Sequence, residues 1–142
     1  MKKYATVIFC TALAVLTVAC WKNPGGGYAI TQQDLLHHRF ILVASAGKDF
    51  SAKERVPYIE FNEGLRVSGA VCNQFTGQGR LAGNVLTVEQ LVSTKMFCMD
   101  PDLNELEHLL ARMLSEGVEL RFDGPNLMIR QGGHELLYKL LD

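Results

Sequence analysis

Several residue patterns that mark common protein classes are missing from this sequence. Lys and Arg never form a dense cluster, and the formal net charge is only −1 at pH 7. A protein that follows a phosphate backbone needs a basic patch, so no nucleic-acid partner is expected. Neither CxxC nor HxxxH occurs among the four cysteines and four histidines. The commonest zinc-binding spacings are therefore absent, and we expect no metal or cofactor.

The sequence also has no apolar run long enough for a membrane span. Residues 4–19 are sixteen residues without a charge and follow Met1, Lys2 and Lys3. A transmembrane helix needs about 20 apolar residues. A basic start, a short apolar core and a small residue such as Ala19 at its end are typical of a secretory signal peptide.

Cys20 follows this segment directly, and the whole pattern resembles the bacterial lipoprotein signal. The resemblance implies that residues 1–19 are cleaved off and that Cys20 is lipidated. Several acyl chains on Cys20 would anchor the protein almost permanently. Residues 20–30 contain three consecutive glycines and are interpreted as a flexible, lipidated tether, which leaves residues 31–142 as one domain. Trp21 rather than Asp follows Cys20, which resembles the sorting pattern of outer-membrane lipoproteins with a periplasmic domain.

Two cysteines, Cys72 and Cys98, remain in the domain once Cys10 has left with the signal peptide and Cys20 is lipidated. Thiols exported to an oxidising compartment are expected to pair. The alternative, a metal site, needs more ligands than two distant cysteines provide. We therefore expect a disulfide.

Short extended segments separated by turn residues dominate the domain. A capping-box pattern at Thr31 predicts a short first helix, and residues 72–79, polar and glycine-rich, are interpreted as a connection. The predicted strands cover residues 38–46, 56–62, 65–71, 85–88, 91–99, 118–122, 127–130 and 134–140. Strands on both sides of one clear helix indicate an α+β domain with a mostly antiparallel sheet.

The clear helix is predicted over residues 101–116. Asp100 is a good N-cap, Pro101 suits the first turn, and Gly117 is a typical stop. An apolar stripe at steps of three and four residues predicts its buried face. Glu107 and Arg112 lie off this stripe and are expected at the surface, with little effect on stability.

The segment SGAVCNQFTG, residues 68–77, resembles the signature of the META-domain family. There a glycine precedes a Cys-Asn pair and an aromatic residue, and another glycine follows. The companion segment Thr-Lys-Met-Phe-Cys, residues 94–98, also matches, with an acid on the next helix. The motif positions in this sequence are Gly69, Asn73, Phe75, Gly77, Thr94, Met96 and Glu105.

The resemblance implies a curved antiparallel sheet, shaped towards a partial barrel, with the main helix packed across it. It also implies a heat-shock or stress-related role in the cell envelope, with a contribution to antibiotic tolerance of the novobiocin type. No enzymatic activity and no catalytic residue are implied. The motif residues are expected to be structural, with Gly69 and Gly77 allowing sharp turns and Asn73 bonding its own turn.

Three kinds of function remain open from the sequence. The first is a non-enzymatic binding or protective module whose partner is an envelope protein or a small apolar ligand. The second is a lipoprotein inhibitor or secretin-pilot chaperone with one fixed protein partner. The third is a small hydrolase, although its candidate nucleophiles lie in no GxSxG motif: Ser45, Ser51, Ser68 and Ser93.

Overall fold

The computed structural model describes residues 28–141, where nine strands and two helices form. The strands are β1 (His38–Ser45), β2 (Lys48–Asp49), β3 (Tyr58–Asn62), β4 (Arg66–Ala70), β5 (Gln74–Ala82), β6 (Val85–Ser93), β7 (Val118–Asp123), β8 (Asn126–Gln131) and β9 (His134–Leu141). The helices are α1 (Gln32–Leu35) and α2 (Pro101–Glu116), and a 3₁₀ turn covers Glu63–Leu65. The predicted signal peptide, Cys20 and most of the predicted tether lie outside the described residues.

The sheet closes on itself. All neighbouring strands are antiparallel, and β1 pairs with β3 on one side and with β9 on the other. Eight strands therefore form a closed barrel, and the short β2 pairs with the end of β1. The predicted α+β class with an antiparallel sheet is confirmed, but the predicted partial barrel is wrong. Closure pairs the free edges of the first and last long strands, which removes exposed backbone donors and acceptors.

Helix α2 covers a seam between β6 and β7. These strands pair only at Val85 with Glu119 and at Leu86 with Val118. The rest of β6 has β5 on one side and α2 on the other, so the helix completes the barrel wall there. Neither helix of residues 28–141 has the length and apolar content of a membrane span.

Strand β5 corrects the interpretation of residues 72–79 as a connection. Phe75, Gly77 and Gly79 alternate with exposed or half-exposed polar residues and lie on its buried face. A Cβ atom on Gly77 would lie 2.9 Å from the carbonyl oxygen of Glu89 in β6. Glycine is needed here for close strand packing rather than for a turn, so the alternation is hidden in residues that look like a loop.

The prediction of α2 is confirmed. Asp100 caps the helix by accepting hydrogen bonds from the backbone N–H groups of Asp102 and Leu103. Its buried face consists of Leu103, Leu106, Leu110, Met113 and Leu114. The first helix also forms as predicted, with the capping box between Thr31 and Asp34.

The two ends of the barrel carry different parts of the chain. Ile30 N–H donates to Asn84 Oδ1 at 2.9 Å in the β5–β6 turn, so the segment before Ile30 joins the domain at that end. The β4–β5 turn and the segment between β6 and α2 lie at the opposite end, because β6 runs from Val85 to Ser93. We call this opposite end the distal end.

One buried hydroxyl group stands out in the barrel interior. Tyr138 is fully buried, and its hydroxyl has no hydrogen-bond partner within residues 28–141. Burial raises the pKa of this phenol. An unpaired buried hydroxyl costs about 1–3 kcal/mol, so Tyr138→Phe is expected to raise the free energy of unfolding by about 1 kcal/mol.

Urea unfolding of the Tyr138→Phe variant checks this expectation. Tyr58→Phe is the matched control, because Tyr58 is half-buried with the Arg39 guanidinium 4.6 Å from its ring centroid, a contact that Phe keeps. A Tyr138→Phe variant that is less stable than the parent would show that the hydroxyl is satisfied in solution.

Candidate functional site

The side chain of Asn73 organises the distal end of the barrel. It is 5% exposed and follows Cys72 in the β4–β5 turn. Its oxygen accepts from Thr94 Oγ1 at 2.9 Å and from Met96 N–H at 2.6 Å. Its amide nitrogen donates to the carbonyl of Met96 at 3.2 Å and to Glu107 Oε1 at 2.7 Å. Asn73 thus binds across to two other segments, and the expectation that it bonds its own turn is corrected.

Glu107 connects the same turn to helix α2. Its other carboxylate oxygen accepts the backbone N–H groups of Cys72 at 3.0 Å and Asn73 at 2.6 Å. These two donors have no strand partner in the turn, so the carboxylate satisfies them. Asn73, Thr94, Met96 and Glu107 together are called the Asn73 clamp below.

Glu105, the acid assigned to the family motif from the sequence, lies outside the clamp. Its side chain is 78% exposed, and its carboxylate lies 3.8 Å from Lys48 Nζ. The expectation that Glu107 is a surface residue is corrected, because its side chain is half-buried and bonds the β4–β5 turn. Two residues along a helix turn a side chain by about 200°, so only one of the two acids can face the motif. Glu107 lies four residues after Leu103 and three before Leu110, which are both buried. This helical spacing was the sequence signal that Glu107 faces the barrel.

A disulfide joins the same two segments covalently. Cys72 and Cys98 are bonded, with their Cα atoms 5.7 Å apart. Residues 94–99, here called the distal loop, are therefore held at one end by Asn73 and at the other by the cystine. The predicted extended run over residues 91–99 is corrected, because β6 ends at Ser93.

The remaining motif residues allow close packing inside the barrel. A Cβ atom on Gly69 would lie 2.6 Å from Cζ of Phe75, so glycine is needed for this ring to pack closely against β4. Gly69 and Gly77 both lie within strands. The expectation that they allow sharp turns is therefore corrected.

The distal loop presents large apolar side chains to solvent. Met96 is 56% exposed, Phe97 is 89% exposed and Met99 is 87% exposed. The predicted motif residue Met96 thus bonds Asn73 through its backbone and leaves much of its side chain accessible. Residues 95–97 and 99 are all exposed, although the clamp holds the loop at Met96 and the cystine holds it at Cys98.

Ion pairs hold the start of α2 against the β1–β3 connection. Lys53 Nζ lies 2.8 Å from Asp100 and 3.2 Å from Asp102, and Lys48 Nζ lies 2.7 Å from Asp102. The bond to Lys53 lowers the pKa of Asp100, and the bonds to Lys48 and Lys53 lower that of Asp102. These pairs fix the helix N-terminus next to the cystine.

The lowered pKa values predict weaker folding in acid. An unfolded Asp titrates near 3.8 and binds a proton before its folded counterpart does. The stabilisation by these two carboxylates is therefore complete above the unfolded pKa. It is lost as the pH falls through their lower folded pKa values. Urea midpoints measured at several pH values below about 5 should fall less steeply for Asp100→Asn, because Asn does not titrate but still caps the helix. Asp123→Asn, whose residue forms no ion pair within residues 28–141, should keep the parental slope.

The histidines do not assemble one site. His108 and His134 line a groove of about 450 Å³ with Lys48, Glu105 and Arg112. His37 and His38 lie at the opposite end of the barrel, since His38 begins β1 next to the end of β9. No group of three potential metal-ligating His, Cys, Asp or Glu side chains occurs in the described part of the chain.

One serine–lysine pair has the spacing of a second hydrolase motif. Ser45-Ala46-Gly47-Lys48 has the SxxK spacing. In the structure Ser45 and Lys48 are paired across a tight turn between β1 and β2, and Lys48 Nζ bonds Asp102. A lysine held by a carboxylate stays charged, so it provides no base for Ser45.

A second cavity, of about 340 Å³, lies where α2 covers the seam. Its walls include Phe75, Leu91 and Leu110, and the charged residues Lys95, Glu107 and Arg112 also line it. Apolar walls with a few polar groups are typical of sites for small ligands. This cavity is therefore a candidate site for a small apolar ligand.

The fold and the clamp define a small antiparallel β-barrel domain whose seam is covered by one helix. The META domain model matches residues 33–141. The chain belongs to the META-domain family.

Relatives agree with this assignment. The chain is 37% identical over 142 residues to heat shock protein HslJ of Escherichia coli (strain K12), covering all of this chain and 98% of that protein. A structure solved by NMR superimposes with a TM-score of 0.72 at 36% identity, covering 78% of this chain and 94% of that one. An NMR structure of a protein from Burkholderia xenovorans gives a TM-score of 0.62 at 18% identity, covering 84% and 97%, which shows the shared fold.

Proposed function

We propose that this protein is a lipid-anchored stress protein of the cell envelope that binds or protects another component and catalyses no reaction. In this proposal Cys20 holds it at the outer membrane, with the domain in the periplasm. Its presence contributes to antibiotic tolerance of the novobiocin type. The likeness to HslJ along the whole chain supports the stress role. The apolar stretch that ends at Cys20 supports the anchor.

The observation that carries the non-catalytic part is the use of the motif's polar groups. Both oxygens of Glu107 and all four hydrogen-bonding positions of Asn73 are occupied within the protein. A catalytic acid or base must instead be free to bind substrate or exchange a proton. The motif therefore supports a structural role, in which it holds the distal loop in place.

Complementation tests the function. An Escherichia coli strain lacking HslJ, with and without this chain, is scored for survival after heat and on novobiocin. The parent should restore survival, and Gln variants of the four histidines should do so too: His37, His38, His108 and His134. A histidine variant that folds normally but fails to restore survival would instead indicate catalysis.

The anchor is tested separately with radiolabelled fatty acid. The parent should incorporate label, and Cys20→Ser should not, because the thiol is the acylated group. Cys10→Ser lies in the same apolar stretch and serves as the control that should remain labelled. Equal labelling of both variants would exclude Cys20 as the anchor.

A fixed-partner role, as an inhibitor or a secretin-pilot chaperone, is the second candidate. The exposed apolar side chains of the distal loop favour a protein partner of some kind. Crosslinking in intact envelopes distinguishes the two roles. One partner in constant proportion, with and without heat, would favour the fixed-partner role. Several partners that increase on heating would favour the protective role.

A further inference from the structure

The distal loop concentrates exposed apolar surface in one place. Three of the seven large apolar side chains that are exposed within residues 28–141 lie between positions 96 and 99. The others are spread over the domain: Tyr28, Val85, Val92 and Leu141. Single exposed apolar residues are ordinary, whereas a contiguous group marks an interaction site.

The loop is held open rather than folded back onto the domain. The backbone of Met96 is bonded on both its N–H and C=O sides to Asn73, and Cys98 is fixed by the disulfide. Phe97 lies between these two fixed points and is 89% exposed. Fixing the backbone in advance lowers the entropic cost of binding. Phe and Met are also enriched where proteins meet partners.

A groove of about 480 Å³ adjoins the loop. Its walls are mainly apolar and include Val56, Tyr58, Ala70, Val71 and Met96, with the cystine residue Cys72. The only charged residue lining it is Arg55. Arg55 and Lys95 are exposed, and neither forms an ion pair with another residue of the described part. Arg55 therefore gives the apolar groove a free positive charge, and the distal loop adds Lys95, which also lines the cavity beside α2.

The position of the loop argues against the anchoring membrane as its occupant. The segment before Ile30 joins the domain at the β5–β6 turn, and the loop follows the far end of β6. Nine residues of strand separate the two ends, or roughly 26 Å along the strand. The proposed anchor at Cys20 therefore precedes the end of the domain that is opposite the distal loop.

A second copy of this chain is also disfavoured. A two-fold contact brings the same patch of both copies together, so Arg55 and Lys95 of one copy would approach their counterparts. Like charges brought together at an interface oppose association. The occupant that fits must be apolar and must carry negative charge.

We propose that the distal loop and its groove bind extended polypeptide segments in which bulky apolar residues stand next to Asp or Glu. Such segments are exposed when envelope proteins unfold. Phe97 and Met99 pack against the apolar side chains, and Arg55 and Lys95 pair with the carboxylates. This inference rests on the proposed protective function and names the class of partner.

The test uses residues 20–142 with Cys20→Ser, a form without lipid. A relative solved by NMR matches 78% of this chain with 94% of its own, which supports the use of this shortened form. The probe is reduced, carboxymethylated α-lactalbumin, an acidic protein that stays unfolded in buffer. Fluorescence anisotropy should show binding to this probe, and binding should weaken with added salt because ion pairs are screened.

Matched variants locate the contact. Phe97→Ser with Met99→Ser should weaken binding by about tenfold or more, as expected for central apolar contacts. Val92→Ser, at an exposed apolar position outside the loop, should leave it unchanged. Arg55→Glu with Lys95→Glu should also weaken binding. Urea unfolding of every variant shows whether the fold survives these surface changes.

Three results would overturn the inference. They are no binding to the unfolded probe, equal binding by the Phe97 and Met99 variant, and equal binding to reduced, amidomethylated lysozyme, an unfolded basic protein. Loop-dependent binding to phosphatidylglycerol vesicles without binding to the probe would identify a membrane surface instead. Loop-dependent dimers in sedimentation would identify a second copy. Because complementation is scored independently, the proposed function can survive any of these results.

Discussion

Replacing Asn73 by alanine is expected to lower the free energy of unfolding by about 3–4 kcal/mol. The buried side chain makes four hydrogen bonds that join the β4–β5 turn, the distal loop and α2. Its removal leaves the N–H of Met96 and one oxygen of Glu107 without these partners, and buried polar groups without partners account for most of such losses.

Comparing Glu107→Ala with Glu105→Ala tests whether Glu107 stabilises the clamp. Both change a glutamate to alanine two residues apart on α2. Glu107→Ala removes the acceptor of two backbone N–H groups and should cost about 2–3 kcal/mol. Glu105→Ala removes an exposed side chain with one long ion pair and should change stability by at most about 0.5 kcal/mol.

Urea unfolding of the single variants and of Asn73→Ala with Glu107→Ala completes the test. The double variant should lose less than the two single losses combined, because the two residues share bonds. Equal losses for Glu105→Ala and Glu107→Ala would mean that the clamp is absent in solution. Fully additive losses would mean that the two residues act independently.

The local elements could be predicted because each depends on residues close in the chain. Asp100, Pro101 and the apolar stripe define α2, and the turn residue Gly64, with a φ of 65°, marks the β3–β4 hairpin. Closure of the barrel could not be predicted in this way. It depends on β1 pairing with β9, whose residues are far apart in sequence. Their alternation shows only that each is a strand, and not which strand lies beside it.

Three of the four clamp residues could be predicted from the sequence, but Glu107 and the contacts among the four could not. The family motif identified Asn73, Thr94 and Met96. It did not show that the Asn73 side chain joins the β4–β5 turn to both the distal loop and α2. The choice between Glu105 and Glu107 depends on how α2 is rotated against the β4–β5 turn, which is a tertiary property. Likewise the apolar residues 96–99 looked like part of a strand, because composition alone does not distinguish a buried strand from an exposed loop.

Opening the disulfide between Cys72 and Cys98 is the other change with a large expected effect. The bond closes a loop with a sequence separation of 26, for which the chain-entropy model gives a loss of about 3.5 kcal/mol. This term acts on the unfolded chain. The folded geometry should largely persist without the bond, because the Asn73 clamp joins the same two segments. The reduced domain should therefore fold at low urea with a much lower midpoint.

The measurement compares urea midpoints of oxidised protein, reduced protein and a Cys72→Ala, Cys98→Ala variant. The reduced protein and the variant should agree, and alkylation of freshly exported, unreduced protein should find neither thiol free. Combining the variant with Asn73→Ala removes both the covalent and the hydrogen-bonded connection between the β4–β5 turn and the distal loop. That combination should leave the domain barely folded, since the summed loss approaches the whole stability of a small domain. If the cysteine variant alone unfolded completely, the clamp would be too weak to hold the distal loop. The disulfide alone would then keep Phe97 in its exposed position.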